Sequence, residues 1–383
     1  MRSAVYSPWL LVVGICALIL EQAASLAVHT RREVLDQDIN AILTPDAAPF
    51  LDYRDPNSLL AQILIPRAPG TENSTLVREA LISRLRQQKD SDGKDKWHIT
   101  THSFEANTPE GARTMTNIIA TRDPNAEQYL VLAAHYDSKY FPPGPMHGFI
   151  GATDSAAPCA MLIDVACALD RQLDAHTAKM MEQRSNYSTT EASRDVSLQL
   201  IFFDGEEAYR AWSDTDSIYG ARQLAVSLAS SWSQPDHALA RRHTTGRGLP
   251  VRSIQKIQCL VLLDLLGAPN VHVPYYFENT KWMHQSLQRI ESRLLAKQSL
   301  YPDKHRKKQE PIFVPLKGPT GIGDDHLPFL REGVPILHLI PSPFPAVWHG
   351  LADDASALDY ATLFAFSKVM RVFTAEVLEL DAS

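Results

Sequence analysis

Acidic and histidine residues follow the ends of four apolar runs, and their side chains are of the types that bind a divalent cation. A single aspartate after a strand is usually only a helix cap or a turn former. Four such ends in one chain are hard to explain as separate caps, so we interpret them as one site. The four groups are His135-Tyr136-Asp137, Asp204-Gly205-Glu206-Glu207, Asp264 and the segment 342–349, which ends in His349.

The residue types in these groups indicate which cation the site would take. Carboxylates and imidazoles that converge from separate elements suit a hard or borderline divalent cation. The sequence has no pair of cysteines at ligand spacing. Asp, Glu and His together therefore indicate catalytic zinc, with three protein ligands and one open position.

Glu206 and Glu207 are adjacent, which indicates that they have different tasks. In an extended segment neighbouring side chains point in opposite directions, so one glutamate can bind the metal while the other carries protons beside the substrate. Two carboxylates this close also push one of their two pKa values up, which suits acid–base chemistry near neutral pH. The alternative is that both are solvated glutamates at the positive end of a helix.

The elements that must position these residues alternate between strands and helices. Apolar runs bounded by polar residues indicate strands buried on both faces, and alternation with helices indicates an α/β fold. We therefore predict a three-layer sandwich with a central, mostly parallel twisted sheet flanked by helices, and a site at the carboxyl ends of the strands. The predicted strands are 97–104, 116–121, 129–134, 196–203, 259–263 and 334–340. The predicted helices are 58–88, 155–171, 217–230, 281–297 and one from about 357, with surface segments at 174–194, 231–251 and 299–323.

Composition limits the class of protein. The chain has 383 residues, of which 45% are hydrophobic, enough for one large core. The formal net charge is −7 and the basic residues are dispersed, so no nucleic-acid partner is expected. The basic cluster at 304–308 has no interleaved aromatic residues and is interpreted as a solvated loop.

The first 27 residues have the pattern of a signal peptide, namely a basic residue, an apolar stretch at 8–20 and small residues after it. As a helix this stretch would be about 20 Å long, too short for a bilayer core of about 30 Å. We therefore expect a secreted protein with a single domain at 28–383 and no stable membrane span. A membrane-anchored Golgi protein is the alternative. Sequons at Asn73 and Asn186 agree with the secretory route and predict a glycoprotein.

Six stretches resemble the glutaminyl-peptide cyclotransferases of animals and fungi, a family that shares its fold with the di-zinc aminopeptidases. The resemblance covers roughly residues 55–375, and the stretches follow the family's order. They are 135–141, 151–161, 200–208, 262–270, 324–330 and 338–349.

The resemblance implies a role for each matching residue. Asp154, Glu207 and His349 would hold one zinc ion per chain. Glu206 would be the general acid–base, with Asp264 and Asp324 as hydrogen-bonded acidic support. The pocket walls would be Trp212, Phe344 and Trp348, while the resemblance assigns His135, Trp282 and His338 less firmly, and His338 is equally well explained as a core histidine.

The implied reaction closes an N-terminal glutamine into pyroglutamate and releases ammonia. The expected partners are peptides or proteins that begin with Gln, or with Glu, and the expected state is a monomer. A secreted di-zinc aminopeptidase is the alternative, with His135 and Asp264 on a second metal bridged by Asp154. A non-catalytic binding protein on the same scaffold would be expected to lack a ligand or the base, and none is lost here.

One position departs from the family pattern. Members of the family have a cysteine just before the His-Tyr-Asp-Ser motif, paired with the cysteine that matches Cys159, whereas this chain has Ala134. The disulfide is therefore expected to be absent, together with a few kcal/mol of stabilisation of the segment 135–158. Cys167 and Cys259 complete an odd number after the signal, so no disulfide framework is predicted.

Overall fold

A computed structural model describes residues 33–185, 195–233, 251–301 and 310–381. Its strands, in chain order, are β1 His98–Thr108, β2 Gly111–Thr121, β3 Gln128–His135, β4 Val196–Phe203, β5 Trp232–Ser233, β6 Val251–Arg252, β7 Ile257–Leu263, β8 Val273–Tyr275, β9 Phe313–Lys317 and β10 Ile336–Leu339. The signal segment, the sequon at Asn186 and the basic cluster at 304–308 lie outside the described residues.

The central sheet has six strands in the order β1-β2-β4-β3-β7-β10. β4, β3, β7 and β10 run parallel to one another, while β1 and β2 form an antiparallel edge. The predicted mostly parallel sheet is therefore confirmed. β5 pairs with β6 and β8 pairs with β9 outside this sheet.

Ten α-helical segments, within the described ranges, accompany the strands. They are α1 Ile39–Leu43, α2 Ala48–Leu51, α3 Leu59–Ile63, α4 Glu72–Arg86, α5 Ala157–Ala168, α6 Asp170–Ser185, α7 Tyr219–Ser230, α8 Lys281–Ala296, α9 His326–Arg331 and α10 Tyr360–Val377. A π-helical turn at Ala152–Ala156 leads into α5, and short 3-10 turns lie at Ser253–Lys256, Glu278–Thr280 and Ala355–Ala357.

The apolar run of β3 is buried on both faces, as the sequence predicted, and its alternate side chains enter two different cores. Leu130 and Leu132 pack in the core that contains α5 and α10. Val131 and Ala133 pack in the core that contains α7 and α9. Successive side chains of a strand point to opposite faces, so the sheet is the middle of three layers.

Strand register brings the carboxyl ends of the parallel strands to one edge. His135 of β3 is paired with Phe203 of β4, which directly precedes Asp204. Leu339 of β10 is paired with Leu263 of β7, which directly precedes Asp264. The polar residues that follow these strands therefore meet at the same edge of the sheet.

Three segment predictions were wrong in detail. The helix predicted at 58–88 is two helices, α3 and α4, because Pro66 and Pro69-Gly70 interrupt it, and Gly70 has a φ of 76°. The polar segment from residue 174 is helical as far as Ser185, as part of α6. The predicted loop 299–323 contains β9, which pairs with β8.

Among the described residues, no single helix has both the length and the apolar character needed to cross a membrane. One pair of helices, Ala152–Ala168 and Asp170–Ser185, meets those two criteria when taken together, with a bend of 62° between them. The residues of α5 in this pair are almost all buried in the protein core.

Candidate active site

Asp154, Glu207 and His349 come together at the carboxyl edge of the sheet. His349 Nε2 lies 3.2 Å from Glu207 Oε1 and 3.5 Å from Asp154 Oδ2. One donor atom from each residue lies within 4.8 Å of the others, and Asp154 and Glu207 are buried. Two carboxylates and one imidazole at this spacing could hold a metal ion. Three protein ligands with one open position are typical of catalytic zinc.

The backbone places Asp154 through a tight turn that only glycine allows. Gly151 has a φ of 66°, and a Cβ at this position would lie 2.1 Å from the carbonyl oxygen of Asp154. The turn Ala152–Ala156 follows, with a cis peptide bond between Asp154 and Ser155. Any larger residue at position 151 would therefore displace the segment that carries the Asp154 carboxylate.

Asp137 orients both glutamates through their backbone. Its two carboxylate oxygens accept hydrogen bonds from the Glu206 amide at 3.2 Å and from the Glu207 amide at 3.3 Å. Lys139 Nζ donates to Glu207 Oε2 at 3.2 Å and to the Ala208 carbonyl at 2.9 Å. The sequence analysis placed Asp137 among the strand-end residues of the site without a specific role and gave Lys139 none, although both lie in the motif that begins at His135.

His135, Asp264 and Ser155 form a second acidic group beside Asp154. His135 Nε2 lies 3.0 Å from Asp154 Oδ1 and 3.4 Å from Asp264 Oδ1. The Ser155 hydroxyl donates to Asp264 Oδ1, which also accepts from the Leu265 amide at 2.8 Å. Asp264 is thus held beside the first group, and His135, Asp154 and Asp264 form another set with metal-ligand spacing.

Asp324 and His338 form a third group. His338 Nε2 lies 2.6 Å from Asp324 Oδ2, and the Asp325 amide donates to Asp324 Oδ1 at 2.6 Å. The rings of His338 and His326 are in tilted contact, with centroids 4.4 Å apart and an angle of 43° between their planes. His338 is thus a buried histidine with a carboxylate partner, which fits both its explanation as a core histidine and a place in the polar network beside the site. Asp324, His326 and His338 are also spaced closely enough to hold a metal ion.

The ionisation of the carboxylates reflects burial and crowding. Burial raises the pKa of Glu206 well above its usual value, and the charges of Glu207 and Asp324 add to this effect while His135 opposes it. Burial and the charge of Glu207 raise the pKa of Asp154 to about 7. Burial also acts to raise the pKa of Glu207, but the hydrogen bond from His349 and the charge of Lys139 outweigh it and lower that pKa to about 2. The site thus has more buried acid than its bases neutralise, which suits a cation.

Three aromatic side chains lie around the first group. Trp348 stacks on His349, with ring centroids 4.2 Å apart, and Phe344 contacts Trp348 edge to face at 5.0 Å. Trp212 is about half exposed and lies against Gly323, where a Cβ would be 2.8 Å from the indole Nε1. Gly323 directly precedes Asp324, so Trp212 lies beside the third group, while Trp348 and Phe344 lie beside His349. Trp282, by contrast, packs against the hydrophobic core.

Within the described residues, Cys159 and Cys167 are free thiols. Cys159 is buried and its Sγ donates to the His135 carbonyl at 3.1 Å, and burial raises the pKa of the Cys159 thiol to about 12. Cys159 therefore has a backbone carbonyl as its partner, next to the alanine at position 134.

Comparisons with known proteins identify the family. Residues 117–374 match the family model described as peptidase family M28. The chain is 43% identical over 323 residues to a glutaminyl-peptide cyclotransferase of Gloydius blomhoffii, a match that covers 84% of this chain and 80% of that protein. It is 42% identical over 341 residues to a glutaminyl-peptide cyclotransferase of Drosophila melanogaster, covering 86% of this chain and 84% of that protein.

The chain belongs to the glutaminyl-peptide cyclotransferases. The crystal structure of Macrostomum lignano glutaminyl cyclase has a TM-score of 0.73 and 31% sequence identity, and the match covers 92% of this chain and 96% of that one. The crystal structure of a leucine aminopeptidase precursor from Bacteroides thetaiotaomicron has a TM-score of 0.58 at 17% identity, and the match covers 85% of this chain and 96% of that one. At that identity the second match shows a shared fold only. The resemblance of this cyclotransferase chain to its family, and its α/β sandwich, are therefore both confirmed.

Proposed function

We propose that this cyclotransferase uses a single zinc ion per chain to convert the N-terminal glutamine of a peptide or protein into pyroglutamate and ammonia. The observation that carries the proposal is the convergence of Asp154, Glu207 and His349 beside Glu206. Relatives with more than 40% identity over most of their length support the reaction. Peptides that begin with glutamate are a second class of substrate in this proposal.

Asp154, Glu207 and His349 would hold the metal, since their donor atoms and spacing fit zinc. When bound, zinc supplies a Lewis acid that polarises the side-chain amide carbonyl of the glutamine. Lys139 contacts Glu207 on its other oxygen, so it fixes the orientation of that ligand. Trp348 fixes the ring of His349 in the same way by stacking on it.

Glu206 would carry the proton. The new bond forms between the substrate's α-amino nitrogen and the side-chain amide carbon, and the bond from that carbon to the amide nitrogen breaks. Glu206 takes a proton from the attacking amine and gives it to the departing nitrogen, which leaves as ammonia. Asp137 holds the amides of Glu206 and Glu207 at almost equal distances, so the two carboxylates keep separate positions and separate tasks.

Asp264 and Asp324 would support this proton transfer from behind. Ser155 donates to Asp264, and His338 pairs with Asp324, so each acid is anchored at a buried position. After burial, the charge of Asp324 is one of the influences that raise the pKa of Glu206, which suits a group that takes up a proton from the amine and passes it on. This role is that of positioning and electrostatic support.

Trp212, Phe344 and Trp348 would wall the substrate pocket. They are partly exposed and lie next to Asp324 or His349, where an apolar wall excludes water from the reacting groups. Because the nucleophile belongs to the substrate, the enzyme would accelerate the reaction mainly by folding the glutamine side chain toward the α-amine of the same residue.

The proposal also includes the cellular setting. Residues 1–27 would be a signal peptide, and residues 28–383 would form a single domain. The mature protein would be a secreted, glycosylated monomer. A Golgi protein anchored by an uncleaved N-terminal segment is the alternative. Sequencing the N-terminus of the protein purified from culture medium, and from cell membranes, distinguishes the two.

Mass spectrometry tests the reaction directly. A peptide that begins with glutamine should lose the mass of one ammonia when incubated with the protein, and its N-acetylated counterpart, which lacks the nucleophile, should not change. Removal of the whole first residue would identify an aminopeptidase and refute the proposal.

A di-zinc aminopeptidase is the second candidate, because His135, Asp154 and Asp264 have the spacing of a second metal site that shares Asp154. It has less support, because the leucine aminopeptidase precursor described above is only 17% identical to this chain, whereas a cyclotransferase relative is 43% identical. In addition, Asp264 Oδ1 already accepts two hydrogen bonds, from the Ser155 hydroxyl and the Leu265 amide.

A further inference from the structure

Arg67 is completely buried and donates its side-chain hydrogen bonds to backbone carbonyl groups. Its Nε donates to the Tyr136 carbonyl at 2.7 Å, and one terminal nitrogen donates to the Gly151 carbonyl at 3.0 Å and to the Asp154 carbonyl at 3.5 Å. The other terminal nitrogen donates to the Ile150 carbonyl. These carbonyls belong to the two segments that carry His135 and Asp154, which Arg67 therefore ties together.

A buried arginine needs a reason, because removing a guanidinium from water costs several kcal/mol even after relaxation. Within the part of the chain that the structure describes, no salt bridge joins Arg67 to a carboxylate. Burial lowers the pKa of Arg67, and the charges of Asp137, Asp154 and Asp353 oppose this effect. The Arg67 guanidinium thus donates to backbone carbonyls beside the acidic site. There its positive charge also offsets part of the excess negative charge.

Asp353 holds the same segment through its amide groups. The Thr153 amide donates to Asp353 Oδ1 at 2.8 Å, and the Ala152 amide donates to the Asp353 carbonyl at 2.9 Å. Asp353 is fully buried and lies four residues after His349. Arg67 therefore donates hydrogen bonds to carbonyl groups of the segment 150–154, and Asp353 accepts hydrogen bonds from amide groups of the same segment.

Together the two residues connect the segments of all three proposed metal ligands. Arg67 and Asp353 hold the turn that carries Asp154, and Asp353 belongs to the loop that carries His349. Arg67 also holds Tyr136, which precedes Asp137, and Asp137 accepts from the Glu207 amide.

We infer that Arg67 and Asp353 are positioning residues that set the affinity and geometry of the metal site by fixing the backbone at 150–154. The inference rests on the proposed metal site at Asp154, Glu207 and His349. Residues that orient metal ligands typically change metal affinity by about 10–100-fold when they are replaced. Arg67 lies between Pro66 and Pro69, in the break between α3 and α4, where periodicity could not reveal its role.

The test measures zinc affinity by competition with a chelator of known affinity, and the absorption spectrum of the Co²⁺-substituted protein. We expect Arg67→Met and Asp353→Ala to bind zinc about 10–100-fold more weakly and to change the Co²⁺ bands. Arg67→Lys keeps the charge but not the planar fork of donors, so its loss of zinc affinity should be smaller than that of Arg67→Met. Asp353→Asn keeps the acceptor for the Thr153 amide and should bind zinc most like the parent protein.

Arg371→Met is the matched control, because Arg371 is equally buried but pairs with Asp164 in the core. It should lower the melting temperature and leave zinc affinity within twofold of the parent. The inference is overturned if folded Arg67→Met binds zinc as tightly as the parent, or if Arg371→Met loses as much affinity. If neither Arg67 variant folds, Asp353→Ala decides alone, and unchanged affinity in it overturns the inference. A parent protein that binds no zinc would instead refute the proposed function.

Discussion

Buried carboxylates occur in two regions of this molecule, and they are neutralised in opposite ways. Between α5 and α10, Asp164 accepts from Arg371 at 2.9 and 2.6 Å and also from the Ser367 hydroxyl, so one acid is matched by one base. At the carboxyl edge of the sheet the buried acids outnumber the cations. The acids are Asp137, Asp154, Glu206, Glu207, Asp264, Asp324 and Asp325, and the bases beside them are Lys139, Arg67, His135 and His349.

The difference separates stability from function. The Asp164–Arg371 pair is complete within the chain, so it can contribute only to holding α5 against α10. At the sheet edge, burial and then the charge of Glu207 raise the pKa of Asp154 to about 7 and that of Glu206 well above its usual value. A fold does not gain stability from such crowding, so the region is expected to be completed by a bound cation.

The largest effect on function is expected from Glu206→Gln. The substitution removes the proton carrier without removing a proposed ligand, so kcat should fall about 100- to 10,000-fold while zinc content stays the same. Steady-state kinetics and elemental analysis measure the two quantities. Glu207→Gln is the paired variant and should lose zinc as well as activity. Retained turnover in Glu206→Gln would show that another group carries the proton.

The largest effect on stability is expected in the other region. Arg371→Met leaves Asp164 buried without its partner and should lower the free energy of unfolding by about 3–5 kcal/mol. Denaturant titration measures this change. In the double variant Asp164→Asn/Arg371→Met most of the loss should be recovered, because the uncompensated charge is gone. A loss of zinc in either variant would contradict the separation of the two regions.

Introducing the family's cysteine should stabilise the segment between the sheet and α5. Cys159 Sγ lies 3.1 Å from the carbonyl of the residue next to Ala134, so Ala134→Cys is expected to form a disulfide with Cys159. The oxidised variant should gain about 2–4 kcal/mol in the free energy of unfolding, chiefly by restricting the unfolded chain. Its reduced form is the control. If activity changed together with stability, the segment would not already be fixed by its backbone hydrogen bonds.

The smallest effect is expected at the pocket wall. Trp348→Ala should raise KM about tenfold and leave the melting temperature nearly unchanged, because the side chain is partly exposed and its main contacts are His349 and Phe344. Trp232→Ala is the matched control, since Trp232 is exposed on β5, away from the strand ends. An equal rise in KM for both variants would remove Trp348 from the proposed pocket.

The sequence was sufficient for the sheet and for the place of the site. Strands such as 129–134 are continuous apolar runs because both of their faces are buried, and the ends of parallel strands necessarily meet. The helix boundary at 64–71 was missed because apolar residues continue at three- and four-residue spacing into Pro66 and Pro69.

The residues that hold the site in place could not be predicted from local patterns. Arg67, Asp137 and Asp353 act on backbone groups of segments 69 to 200 residues away in sequence. Their partners are amides and carbonyls, which every residue has, so no particular side-chain type marks the other half of the interaction. Only the folded chain shows that these three residues face the ligand segments.

The metal content of the fully active protein tests the central claim most directly. If the crowded acids at the sheet edge are completed by one cation at Asp154, Glu207 and His349, metal-free protein should regain full activity on addition of one equivalent of zinc. Full activity only at two equivalents would place a second metal at His135 and Asp264 and favour the peptidase chemistry. Full activity in metal-free protein would contradict the account.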